Sequence, residues 1–348
     1  MLSNTDDVVP LGCERQPIQV GRGAALAVHP RDPRIMYAAF ACVGLGNEVM
    51  GVFKSVDGGA TWFEARAGLG SEGCAPMLEC TCGPGLLGLY LDPVEPERLF
   101  ASTQQRGLYR TEDGGRSWHR LVLPDYCLEV GPVARGPDGT YHTACGGIRY
   151  ASQDDGTTWT EVGLVGYAHR FVGVFAIEWD RPDRIWAGLR SASELAYDVG
   201  WVYRSDDRGQ SWTELAREVD VACRGEGRAV ALDVCDANPD WLAVAIWGCG
   251  LFASEDGGAS WRRASPPVER AYPLWAQYAP SATECILYAS EERRHGLFRS
   301  ADNGRSWTEE IRRPLESLYF NPYEPRVLLG VSLRAAMYER HFELWVKE

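Results

Sequence analysis

Nowhere in its 348 residues does this chain hold an apolar run long enough to cross a bilayer, which excludes a helical membrane span. It also lacks any long stretch with the 3.6-residue periodicity of an amphipathic helix, which argues against a helical or α/β architecture. The opening MLSNTDDVVPLG has neither a basic n-region nor an apolar core. It does not read as a secretory signal, and a cytoplasmic location is expected. Positive charge is in deficit: 35 Lys and Arg against 48 Asp and Glu leave a net charge of −13. The acids are spread without blocks, so the surplus reads as ordinary solubility. It disfavours nucleic acid and anionic membrane as partners.

What is abundant is glycine (38), proline (20) and aromatic residues (11%). They are organised by one eight-residue pattern, [ST]-x-D-x-G-x-[ST]-W, which occurs six times. The copies are SVDGGATW from Ser55, TEDGGRSW from Thr111, SQDDGTTW from Ser152, SDDRGQSW from Ser205, SEDGGASW from Ser254 and SADNGRSW from Ser300. Six matches in one chain define a repeat architecture. Each box lies between β-prone runs such as GVFKS and WFEAR, whose alternation predicts half-buried strands joined by a hairpin turn. The box acids Asp57, Asp113, Asp154, Asp207, Asp256 and Asp302 are expected to accept backbone N–H bonds across that turn. Six copies of one turn suit a repeated scaffold, whereas six copies of one catalytic or calcium site would not, so these acids are assigned a structural role.

The boxes begin 41 to 56 residues apart, which divides the chain into about seven units. A second repeated feature, a Pro-containing turn followed by an aliphatic or aromatic strand, occurs seven times, from HPRDPRIMYAAF at His29 to NPYEPRVLLGVS at Asn321. The box resembles the Asp-box, or BNR, repeat of sialidase-like β-propellers. That resemblance implies an all-β propeller of seven four-stranded antiparallel blades, with six blades as the alternative, filling residues 1–348 as one domain. Residues 1–20 form a lead-in, within which Gln16 to Val20 are expected to add a closing strand to the last blade.

In such a meander the Pro turns and the boxes share one end of each blade, and loops of variable length gather at the other. Binding and chemistry are expected at that variable end. Arg106, Arg170, Arg190 and Arg228 map there as candidate contacts to an anionic ligand. His169, His295, Glu48 and Tyr167 map there as candidate catalytic groups. His142 falls in a strand, where packing is the expected role.

Eleven cysteines are many for a reduced compartment. Cys42 with Cys74, Cys80 and Cys82 forms a candidate thiolate set for zinc or copper, although C-x5-C-x-C is not a standard zinc spacing. Cys127 with Cys145, and Cys223 with Cys249, are further candidate pairs. The competing readings are free cysteines buried as small hydrophobes and, if the protein is exported, disulfides. Cys13, Cys235 and Cys285 read as structural.

The resemblance to sialidases stops at the repeat. Those enzymes carry an early F/Y-R-I-P arginine motif, a tyrosine–glutamate pair and an acid/base aspartate. No R-I-P motif occurs here, and no sialidase residue is carried over. The blade pattern looks closer to xyloglucan-hydrolysing two-propeller enzymes, the sortilin ectodomain and photosystem II assembly factors. Two functions therefore stand. One is a propeller that binds a peptide, a protein or a small anionic molecule at the variable end. The other is an enzyme with a cysteine-rich, zinc- or copper-dependent site there, with glycoside hydrolysis a weaker third.

Overall fold

The computed structural model describes residues 9–10, 12–13, 16–17, 24–40, 51–69, 86–103, 107–124, 127, 130–131, 133–136, 138–145, 148–164, 170–177, 183–191, 202–215, 219, 223, 228–264, 273–279, 281, 283–291, 296–312, 317–321, 324–336 and 339–347. They form an all-β β-propeller of four-stranded antiparallel meanders. In the first repeat the strands Ala24–Val28, Met36–Phe40, Gly51–Ser55 and Phe63–Glu64 pair in sequence order. The same order recurs in the second to sixth repeats.

Counted as hydrogen-bonded sheets, there are six blades among the described residues, five of four strands and one of eight, so the expected seven separate blades are corrected to the alternative number. The cause is local. Strand Ile185–Ser191 of the fourth repeat pairs with Arg228–Cys235 of the fifth through Arg190 opposite Arg228, and this merges two meanders into one sheet.

Contacts divide the chain into two compact units, residues 1–133 with 316–348, and residues 134–315. In the first, Val9–Pro10 pairs with Glu339–Lys347 and completes the last four-stranded sheet. Of the segment Gln16 to Val20, where a closing strand is expected, Gln16–Pro17 pairs with Gly12–Cys13 in a two-stranded ribbon, and residues 18–20 lie outside the described residues. An apolar core of Tyr37, Val52, Leu99, Tyr109 and Trp118 lies in this unit. In the second unit one core gathers around Trp186, Val244 and Phe252, and another around Leu251, Tyr278 and Leu287.

The strands before the boxes are more buried than alternation suggests. Gly51–Ser55 is buried except at Lys54, and Leu108–Thr111 is buried except at Arg110. Both of their faces are covered by neighbouring sheets, so the half-buried expectation holds for neither. The outermost strands Phe63–Glu64 and His119–Arg120 are exposed.

Candidate functional site

Each box folds the same way. Ser55 Oγ donates to Asp57 Oδ1 at 2.8 Å and accepts from Gly59 N–H at 2.8 Å. Thr61 donates its N–H to Asp57 Oδ1 at 2.8 Å and its hydroxyl to Oδ2 at 2.5 Å. The carboxylates of Asp113, Asp154, Asp207, Asp256 and Asp302 are held by the corresponding hydroxyls and amides. The Thr61, Thr158 and Ser211 hydroxyls hold Asp57, Asp154 and Asp207 at about 2, well below the usual carboxylate range. The fourth box position is left-handed, with φ +77 at Gly58 and +67 at Gly114, but 60 at Asp155 and Arg208 and 56 at Asn303. Asn and Asp tolerate that region; a long side chain such as that of Arg208 rarely enters it.

The Pro turns meet the boxes directly. Gly58 N–H donates to Arg34 O at 2.9 Å, Gly114 to Glu97 O at 2.9 Å, Arg208 to Asp183 O at 2.9 Å and Gly257 to Asp240 O at 3.0 Å. Both stereotyped turns therefore share one end of these four repeats. At the other end of the merged sheet, Arg170 pairs with Ser191, and Arg190 and Arg228 stand opposite each other. The fold thus brings three of the four arginine positions singled out from the sequence onto adjacent strand ends. Arg106, His169, His295, Glu48 and Tyr167 lie outside the described residues, as do Cys42, Cys74, Cys80 and Cys82.

Six of the described cysteines are otherwise engaged. Cys223 and Cys249 form a disulfide with Cα atoms 5.3 Å apart, and Cys235 bonds Cys285 with Cα atoms 5.6 Å apart. Cys127 and Cys145 are also disulfide-bonded. For these six residues the free-thiol reading is corrected, because each sulfur is seated against another cysteine. No group of three or more His, Cys, Asp or Glu suited to a metal ion occurs among the described residues. None of the helices there is long and apolar enough to cross a membrane.

A feature that sequence reasoning missed lies at the box end of the third repeat. A cavity of 420 Å³ is lined there by Asp138, Thr140, His142, Arg149, Arg208 and Gln210, among others. Arg149 is 1% exposed and donates from Nη2 to His142 Nδ1 at 2.5 Å, while its Nε and Nη1 have no partner. Burial, then the Arg149 charge, push the His142 imidazole down to about 3. Burial likewise pulls Arg149 down to about 10, against the opposing pull of Asp138 and Asp207. Arg208 pairs with Asp183 and, at 3.7 Å, with Asp138.

Comparison with known proteins places this geometry within a fold rather than an activity. No protein-family profile matches the chain. It is 25% identical over 204 residues to a probable oligoxyloglucan-reducing end-specific xyloglucanase of Neosartorya fischeri, a match covering 52% of this chain and 24% of that protein. The chain thus spans about a quarter of that relative's length. Among solved structures it is similar to the GH74 xyloglucanase of Xanthomonas campestris, with a TM-score of 0.65, 18% identity and coverage of 95% of this chain and 55% of the other. It is also similar to YCF48 bound to D1 peptide, with a TM-score of 0.61, 13% identity and coverage of 98% and 97%. The structural neighbours are therefore β-propellers, both enzymes and a peptide-binding protein.

Proposed function

We propose that this protein is a ligand-binding β-propeller that engages an acidic segment of a polypeptide at the strand ends opposite the boxes. The observation that carries this reading is the register of the merged sheet, which brings the Arg170, Arg190 and Arg228 positions onto adjacent strand ends. Arginines at directly opposed positions of neighbouring strands, as Arg190 and Arg228 are, share one face of the sheet and together can attract carboxylates through paired N–H donors. The similarity in fold to YCF48 bound to D1 peptide, over nearly the whole of both chains, supports a polypeptide as the ligand. The six box acids serve as turn supports in this reading, since their oxygens are taken up by hydroxyls and amides of their own turns. The disulfides support work in an oxidising compartment rather than the cytoplasm expected from the opening residues.

The test is fluorescence anisotropy with a labelled ten-residue glutamate-rich peptide and a lysine-rich control. Saturable binding of the acidic peptide alone is expected, weakened at least tenfold by the Arg190→Glu, Arg228→Glu pair and by raised salt. Equal binding of both peptides, or an unchanged affinity in the folded double variant, would overturn it.

A further inference from the structure

The third repeat breaks the pattern of every other box-bearing repeat at one buried position. Three residues before the first box residue stand Val52, Leu108, Val202, Leu251 and Leu297, each fully buried at 0% exposure. The corresponding residue of the third repeat is Arg149, at 1%. One position before the box, Lys54, Arg110, Arg204 and Arg299 give way to Ala151, as they do to Ala253 in the fifth repeat. The residue opposite on the adjacent strand changes as well. Tyr37, Phe100, Trp186 and Tyr288 face the cations of their repeats, whereas His142 faces Ala151. The third repeat alone has exchanged an apolar core position for a buried cation, and it sets an imidazole opposite the alanine where the fifth repeat sets Ala243.

A buried guanidinium is costly unless its donors are paired. Here one N–H donates to the neutral imidazole of His142, and Nε and Nη1 have no partner. Because His142 Nδ1 accepts, the imidazole proton sits on Nε2, which is a further donor. The acids around the cavity are already committed. Asp138 Oδ1 accepts from Thr140 N at 3.0 Å and its Oδ2 faces Arg208 at 3.7 Å, while Asp154 is held by Ser152 and Thr158. What Arg149 Nε and Nη1 lack is an acceptor. Gly209 allows the backbone to lie against the guanidinium, since a Cβ there would stand 2.5 Å from Arg149 Nη1.

We infer that this cavity binds a small carboxylic acid, its carboxylate on Arg149 and the His142 Nε2–H, and its other polar groups against Thr140, Gln210 and Arg208. A single negative charge suits the site better than a dianion, because Asp138, Asp154 and Asp207 lie around it. A volume of 420 Å³ limits the ligand to a compact molecule. This site is separate from the strand-end arginines, so either can fail without the other.

Isothermal titration of the intact protein with lactate, malate, glutamate and inorganic phosphate tests the inference. Saturable binding of at least one carboxylate is expected, tighter than phosphate and lost by tenfold or more in Arg149→Leu. That substitution restores what the other repeats carry, so its unliganded melting temperature should equal or exceed the parent's, which a merely structural arginine would not allow. Arg149→Lys provides a second folded variant, keeping the charge while weakening carboxylate binding. The inference is overturned if no carboxylate binds, if phosphate binds better, or if Arg149→Leu binds unchanged. A lower melting temperature in Arg149→Leu with no carboxylate effect in the parent would assign the arginine to packing alone.

Discussion

Asp233 should make the stability of this protein fall across neutral pH. It lies on strand Arg228–Cys235 of the fifth repeat, and its Oδ2 accepts the N–H of Tyr278 in the sixth at 2.7 Å. Burial pushes its carboxyl up to about 7, with Asp236 adding to the rise, while the Tyr278 and Val234 amides oppose it. The same group in the unfolded chain titrates near 3.8. Between these values the folded state holds a proton that the unfolded state has released. The contribution is therefore complete below about pH 4 and is lost as pH rises through about 7. A rise of roughly 3 units at about 1.36 kcal/mol each sets an upper limit near 4 kcal/mol, and the partial exposure of the residue lowers this to about 2–3 kcal/mol. Asp233→Asn keeps an oxygen for the Tyr278 amide and removes the ionisation. Urea unfolding at pH 4 and pH 8.5 should give similar stabilities at the lower pH and a variant more stable by about 2–3 kcal/mol at the higher. The box acids Asp57, Asp154 and Asp207 act in the opposite sense. Their contribution is present above about pH 4 and lost as pH falls towards 2, outside this window and alike in both proteins. Parallel pH profiles for parent and variant would refute the reasoning.

Two further substitutions probe the scaffold. Gly68 has φ +87, and a Cβ there would stand 2.3 Å from the carbonyl oxygen of Trp118, whereas Gly58 at φ +77 has nothing within 4 Å. Gly68→Ala should cost about 3 kcal/mol or more and Gly58→Ala about 1 kcal/mol by chemical denaturation, and equal losses would count against the packing described. The Cys235–Cys285 bond spans 50 residues, so the double serine variant should lose about 4 kcal/mol in the chain-entropy picture. Dithiothreitol should cost the parent at least that much, since it reduces the other disulfides as well; indifference to reductant would mean that the sulfurs are unbonded.

Much of the scaffold was legible because it repeats. The box pattern located six hairpin turns, and its aspartates, hydroxyls and glycines fold as a local unit whose bonds span at most four residues in sequence. The shared end of Pro turn and box followed from strand order alone, and the amides of Gly58, Gly114, Arg208 and Gly257 bear it out. The merging of the fourth and fifth repeats was not legible, since it depends on one pairing between Arg190 and Arg228, which lie in different repeats. The same limit applied to the cysteines. Cys235 and Cys285 read as structural without a named partner, and only the juxtaposition of the fifth and sixth repeats pairs them.

His142 and Arg149 mark the boundary most sharply. The sequence by itself determined that IRYAS departs from GVFKS, LYRT, VYRS, GLFAS and GLFRS, because the repeats supply their own standard of comparison. Local turn chemistry and strand pattern are short-range properties, and six copies make them plain. Whether an arginine in such a strand reaches water or is sealed inside depends on what the neighbouring repeat lays over it. Only the tertiary structure decided that: it set Gly209 against the guanidinium, withheld any partner from Nε and Nη1, and left a cavity beside them.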